Sequence, residues 1–412
     1  MTPKYNLLNR SFQLQGELVA LRRHLHSYPE LSFQERDTAR LVAEKLCDLG
    51  FNVRRNVGGT GVIGDTGTGK VIAIRAEMDA LPLTELNRVP YSSRNQGVMH
   101  ACGHDANMAC VLGAASLLSG MTAPGRVRML MQPAAEESSD SAGKTGTYRM
   151  IEDGALDDVT AIISCHMDTT LPAGKVAIVQ EPVMPPAAAF KITVQGKDYR
   201  GLSREGTDNP VLWGAQIVSA IHKISTRHRF PIISVGSFQA ASSRGDIVSE
   251  QIILKGTFHS FSKQMRREIM KELEDACRWV KETGGDYQIA YSPASTPLPD
   301  HLPVTSAMHQ AAVDLLGQAN VLAVKRKSWT EDFSAYSIRI PGALLLLGGE
   351  IPASRRCMHS PSFDIDESGL HIGSAILSRT ARLILDSQQR GYEPESLPAA
   401  FLDHSAQGNM IA

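Results

Sequence analysis

The stretch Met99-His100-Ala101-Cys102-Gly103-His104-Asp105 sets two histidines, a cysteine and an aspartate almost side by side. A thiolate and an imidazole two residues apart can reach one transition ion, because both are good ligands for such ions. The apolar run Met108 to Leu118 follows at once, so the stretch reads as a loop that feeds ligands into a buried helix. A cysteine at a helix N-terminus is stabilised as thiolate by the unsatisfied N–H groups there. Taken alone, the pattern also suits a buried cysteine beside two helix-capping histidines. Other candidates shift that balance: Asp79, Glu136, Glu137, His166 and His359 all fall at expected strand ends or loops. One thiolate, one carboxylate and the three imidazoles make a ligand set for two ions with open positions. The spare glutamate beside the ligand glutamate has the chemistry of a general base acting on a metal-activated water.

The elements that must position these groups follow from periodicity. Residues 11–26 read as a helix with Leu14, Leu18, Leu21 and Leu25 on one face. Ser32-Phe33-Gln34-Glu35 has the form of a capping box that opens a second helix, closing at Gly50. Residues 51–57, 61–64 and 71–76 read as strands, the last two joined as a hairpin by Asp65-Thr66-Gly67-Thr68-Gly69. Strands at 71–76, 126–131 and 161–166 end on Asp79, Glu136-Glu137 and His166, so one sheet edge collects the candidates. Pro-rich stretches at 182–186 and 292–299 bracket a strand, helix, strand, strand, helix, strand order, that of a ferredoxin-like unit. The chain then returns through a helix (303–317), a strand (342–347), the loop of His359 and a final helix from Glu367. The expected fold is α/β: a metallohydrolase domain (1–186 and 296–412) with a mixed, mostly parallel sheet between helices, and an inserted βαββαβ lid and dimerisation domain (187–295).

With 412 residues, the chain exceeds one ordinary core. A net charge of −1 leaves no electrostatic footprint for nucleic acid or an anionic membrane surface. No apolar run is long enough to span a bilayer, and residues 1–9 lack the apolar core of a signal peptide. Six cysteines without paired spacing fit a reducing compartment, so a cytoplasmic location is expected.

Motifs along residues 20–380 carry a family resemblance. They are Arg22-Arg23-His24-Leu25-His26 with Pro29-Glu30-Leu31-Ser32, Met78-Asp79-Ala80-Leu81-Pro82, and Val98 to Asp105. Gln132-Pro133 with Glu136-Glu137, Glu331-Asp332-Phe333-Ser334 and His359-Ser360-Pro361 complete the set. The sequence resembles metallopeptidase family 20, the aminoacylase and carboxypeptidase-G type dinuclear hydrolases, and within it the N-acyl amino acid amidohydrolase branch that includes auxin-conjugate hydrolases. The resemblance implies two ions, Mn²⁺ or Zn²⁺, bridged by Cys102, with His104, Glu137, His166 and His359 as further ligands. It implies Glu136 as general base and Asp79 as the carboxylate that orients a ligand imidazole. It also implies a homodimer formed through the inserted domain, which closes over the site of a small-molecule substrate.

Several positions depart from the family pattern. Arg200 stands where a lid histidine is usual, Asp246 where an asparagine binds a substrate carboxylate, and His259 where an arginine does so. Trp329 precedes Glu331-Asp332-Phe333 where small residues are usual, Glu77 replaces an aspartate, and one alanine is added before Glu136. Arg200 is cationic but is no proton donor like imidazole, and Trp329 offers an aromatic face. The metal half thus points to hydrolysis of an N-acyl amino acid or amide. The altered lid points instead to hydrolytic deamination of an activated aromatic amine such as a nitroanthranilate. A non-catalytic dimer of the same fold is the remote alternative.

Overall fold

The computed structural model describes residues 3–120, 125–136, 144–179, 187–196, 209–227, 233–240, 249–260, 263–291, 301–324, 332–352 and 356–390. The chain divides into two compact units. One comprises Met1–Pro182, Leu298–Lys325 and Asp332–Ala412, the other Val183–Pro297 and Arg326–Glu331.

In the first unit the chain runs α1 (Pro3–Gln13), α2 (Gln15–Ser27), α3 (Arg36–Asp48), β1 (Asn52–Val57), β2 (Gly61–Thr68), β3 (Val71–Glu77), α4 (His104–Leu118), β4 (Gly125–Gln132), α5 (Gly146–Glu152), β5 (Val159–Pro172) and β6 (Val176–Ile178). After the second unit it resumes with α8 (Leu302–Leu316), β11 (Val321–Leu322), α9 (Ser334–Ser337), β12 (Gly342–Glu350) and α10 (Leu370–Gln389). The described strands form one sheet in the order β1-β2-β4-β3-β5-β12-β6-β11. Its centre, β4-β3-β5-β12, is parallel. Every residue of β3 is buried, as a parallel strand covered on both faces requires.

Helix α4 is the central helix of the unit. Of its residues only Ser116 is not buried, so it is apolar nearly all round rather than amphipathic. Gly113 lets α10 approach: a Cβ there would lie 2.3 Å from Ser374 Oγ. That hydroxyl donates instead to the Cys110 carbonyl at 2.9 Å.

Three local expectations are corrected. The helix expected over 11–26 is two helices, α1 and α2. The Gly-rich turn at 65–69 is no hairpin, because β4 lies between β2 and β3, antiparallel to one and parallel to the other. The capping box at Ser32 and Glu35 does not form. The Glu30 carboxylate accepts from the Asp37 and Thr38 N–H groups at the start of α3, at 3.1 and 2.8 Å. It thereby takes the place that a capping side chain would fill.

The second unit holds β7 (Ala187–Gln195), α6 (Pro210–Arg227), β8 (Ile233–Ala240), β9 (Gln251–His259), α7 (Lys263–Glu282) and β10 (Asp286–Tyr291). Its strands pair antiparallel in the order β10-β7-β9-β8. Phe190, Ile192 and Val194 of β7 pack with Trp213, Ile217 and Ile221 of α6 and Leu273 of α7 in a core of its own. Among the described residues no helix is long and apolar enough to cross a membrane.

Candidate metal centre

The ends of β3 and β4 and the middle of β5 converge beside the N-terminus of α4. Gly103 makes the turn into that helix with φ 92, a conformation that a side chain would strain. A Cβ at 103 would also sit 2.9 Å from Met167 Cβ. Glycine is therefore required between Cys102 and His104 if both side chains are to face one point. His166 lies within β5, opposite Leu346 of β12, rather than at the strand's end as expected. The loop of His359 is tied in by its own N–H, which donates to the Ala101 carbonyl at 2.7 Å. His359 has φ 60 and Ala134, beside the Glu136 segment, has φ 47. Left-handed backbone at such residues costs on the order of 1–3 kcal/mol, and here both examples border the candidate site.

Cys102, His104 and His166 bring one ligand atom each within 4.8 Å of one another, and so do Cys102, Glu136 and His359. Cys102 is common to both trios. Its Sγ lies 3.6 Å from His166 Nε2 and 3.2 Å from His359 Nε2. The imidazoles are oriented from behind. His104 Nδ1 faces the Asp79 carbonyl at 2.8 Å and Asp79 Oδ1 at 3.2 Å. His166 Nδ1 faces the Met167 carbonyl at 2.9 Å. An Nδ1–H that donates to a carbonyl leaves Nε2 with its lone pair, the state a metal ligand needs. Glu136 Oε1 lies 3.7 Å from His104 Nε2 and 3.4 Å from His359 Nε2.

The electrostatics follow from these contacts. Burial and the Glu136 carboxylate push the Cys102 thiol up, but the His104 and His166 imidazoles outweigh them and hold it below its usual range. Burial likewise opposes ionisation of Asp79, yet His104, the Glu136 N–H and Ser32 bring it down to about 2. Contacts with Cys102 and Glu136 raise His359 to about 10. A soft thiolate, imidazoles that turn Nε2 toward it or toward Glu136, and a carboxylate suit a divalent transition ion once the rings give up their protons, so the residues present fit such a group.

A ring of buried charge supports this face, and sequence reasoning had left most of it aside. Arg22, fully buried, donates to Asp105 at 2.8 Å, Asp364 at 3.2 Å and Glu367 at 3.2 Å. His26 Nδ1 meets Asp105 at 2.7 Å and its Nε2 meets Glu85 at 3.3 Å. On the other flank Arg75 pairs with Glu77, Gln132 and Asp332. Asn107 donates to Glu77 at 3.1 Å and accepts from the Met167 N–H at 3.1 Å, joining α4 to the segment beside His166. The signal for Arg22 was present: it lies on the apolar stripe of α2 with Leu18, Leu21 and Leu25, where an unpaired charge would be costly.

Of the residues singled out in the sequence, Asp79, Cys102, His104, Glu136, His166 and His359 are brought together. Glu137, Arg200, Asp246 and Trp329 lie outside the described residues. His259 is at the end of β9 in the second unit, opposite Ala187 of β7.

The family model of peptidase family M20/M25/M40 matches residues 73–383, three quarters of the chain. This chain belongs to that family. M20 relatives include the N-acetyl-L-cysteine deacetylase of Bacillus subtilis, 30% identical over 91% of this chain and 90% of that protein. The IAA-amino acid hydrolase ILR1-like 6 of Arabidopsis thaliana is 31% identical over 90% of this chain and 81% of its own length. Among solved structures, the YXEP protein of Bacillus subtilis, described as a dinuclear metal binding peptidase of the M20 family, superimposes with a TM-score of 0.69. It is 28% identical and covers 91% of this chain and 99% of its own. The M20 chain described here is thus a metal-dependent hydrolase of a C–N bond, with the mostly parallel α/β architecture of its relatives.

Proposed function

We infer that this hydrolase removes the acyl group from an N-acyl amino acid, with two divalent ions held by Cys102, His104, His166, His359 and Glu137. The observation that carries the reading is the Cys102 thiol, which His104 and His166 approach on one side and His359 and the Glu136 carboxylate on the other. Mn²⁺ and Zn²⁺ both suit the donor set. Such ions, when bound, polarise the scissile carbonyl and acidify the attacking water.

The chain's own groups do the rest. Glu136, with its carboxylate between the His104 and His359 rings, takes the water proton as the oxygen adds to the acyl carbon. It then delivers that proton to the nitrogen as the C–N bond breaks. The products are a carboxylic acid and an amine, and Glu136 returns to its starting charge. Asp79 holds the His104 tautomer through its main-chain carbonyl, 2.8 Å from Nδ1 with Oδ1 3.2 Å away, and the Glu136 backbone through Oδ2, 2.9 Å from the Glu136 N–H.

The second unit is assigned to dimerisation and to covering the site. Arg200, Asp246, His259 and Trp329 are assigned to contacts with the substrate. Two relatives support an acylated amino acid as substrate, one named an N-acetyl-L-cysteine deacetylase and one an IAA-amino acid hydrolase. No contact among the described residues favours aromatic deamination over this reading. The test is a panel of N-acetyl and longer N-acyl amino acids against the Mn²⁺- or Zn²⁺-loaded protein, with anilides and aromatic amines in parallel. Release of free amino acid from at least one N-acyl substrate is expected. Turnover confined to aromatic amines would replace the assignment.

A further inference from the structure

Ser32 and Glu35 look like a helix cap in the sequence, yet neither side chain caps α3. Ser32 Oγ donates to Asp79 Oδ2 at 2.7 Å, the same oxygen that accepts the Glu136 N–H at 2.9 Å. Glu35, with no exposed surface, accepts the Ala134 N–H at 2.8 Å through Oε1, and Thr60 Oγ1 donates to its Oε2. The main chain around them is fixed as well. The Ala80 N–H donates to the Glu30 carbonyl at 2.8 Å, and Leu31 bridges Ala80. Phe33, between the two side chains, and Ala134, opposite them, are both left-handed, with φ 59 and 47. Helix α3 has no need of either side chain, since Glu30 serves its first N–H groups.

We propose that Ser32 and Glu35 are positioning residues that clamp the Ala134–Glu136 segment and so set where the Glu136 carboxylate stands. The segment hangs from two carboxylates. Glu35 fixes it at Ala134, and Asp79, steadied by Ser32, fixes it at Glu136. Because Asp79 also orients His104, loosening the Ser32 contact shifts the carboxylate against the ligand imidazole it works beside. A displaced Glu136 carboxylate leaves substrate affinity intact and lowers the rate of proton transfer. The proposal rests on Glu136 being the base, so the experiment keeps the two claims separate.

Backbone amide exchange is measured on the Mn²⁺-loaded full chain for wild type, Ser32→Ala, Ser32→Thr, Glu35→Ala and Glu35→Gln. The alanine variants are expected to speed exchange at Ala134 or Glu136 about 10-fold or more. Ser32→Thr and Glu35→Gln, which keep a donor and an acceptor, are expected to restore most of the protection. Should Glu35→Ala not fold, Ser32→Ala against Ser32→Thr decides alone. On the N-acetyl amino acid that the wild type hydrolyses fastest, kcat falls about 5-fold or more in the alanine variants while KM stays within about twofold. Unchanged exchange overturns the clamp, and so does faster exchange with wild-type kcat. Wild-type turnover in Glu136→Gln would instead remove the base assignment, with the exchange result still deciding the clamp.

Discussion

Replacing Glu136 by glutamine separates the carboxylate's charge from its position. The amide has the size of the acid, and the backbone N–H keeps its bond to Asp79 Oδ2, so the segment stays in place. What is lost is a proton acceptor standing 3.4 Å from His359 Nε2 and 3.7 Å from His104 Nε2. General-base catalysis is worth about 10²–10⁴ in rate, or roughly 3–5 kcal/mol of transition-state stabilisation. Turnover of an N-acyl amino acid is therefore expected to fall by about 10²-fold or more with metal content unchanged. The same carboxylate belongs to the trio with Cys102 and His359, so the assay must read both quantities. Each variant is loaded with Mn²⁺, dialysed, and measured for kcat and for bound metal. If Glu136→Gln loses an ion and the reloaded protein works at nearly the wild-type rate, Glu136 is a ligand and the reasoning fails.

Glu137→Gln is expected to do the reverse, weakening metal retention, which the same dialysis measures. Gly103→Ala places a Cβ against Met167 at φ 92, and a destabilisation of roughly 1–3 kcal/mol with weakened metal binding is expected from denaturation and metal titration. Burial raises the Glu35 carboxyl from 4.5 to about 7. The folded state then holds a proton that the unfolded state has released, so stability falls as pH rises from about 4.5 to 7 and is level above. That contribution is about 3 kcal/mol, and Glu35→Gln should flatten it, as urea unfolding at pH 5 and pH 8 would show. Arg200→Ala is expected to reduce turnover while leaving metal content and oligomeric state unchanged, checked by kinetics and size-exclusion chromatography.

The parallel sheet edge was legible because β3 and β4 are short runs that each end on a polar group, Glu77 and Gln132, whereas β5 runs on past His166 to Pro172. The residues of the two trios were legible by type: cysteine, histidine and glutamate gathered along one chain beside such strands have few other uses together. The false hairpin arose because Asp65 to Gly69 has good turn chemistry, and local sequence does not report that a later strand, β4, inserts between its neighbours. Ser32 and Glu35 were misread in kind. Their spacing satisfies a local rule, while their partners, Asp79 and Ala134, are 47 and 99 residues away. The network from Asn107 to Glu77 and Met167 was hidden similarly, since an amide on a buried helix shows its purpose only when both partners are in place.

The most direct test is the metal content of the full chain, wild type against Cys102→Ala, by elemental analysis after equilibration with Mn²⁺ or Zn²⁺. A thiolate shared by both trios predicts two ions per chain in the wild type and loss of metal from both positions in the variant. One ion or none in the metal-replete wild type, or two retained by Cys102→Ala, would contradict it.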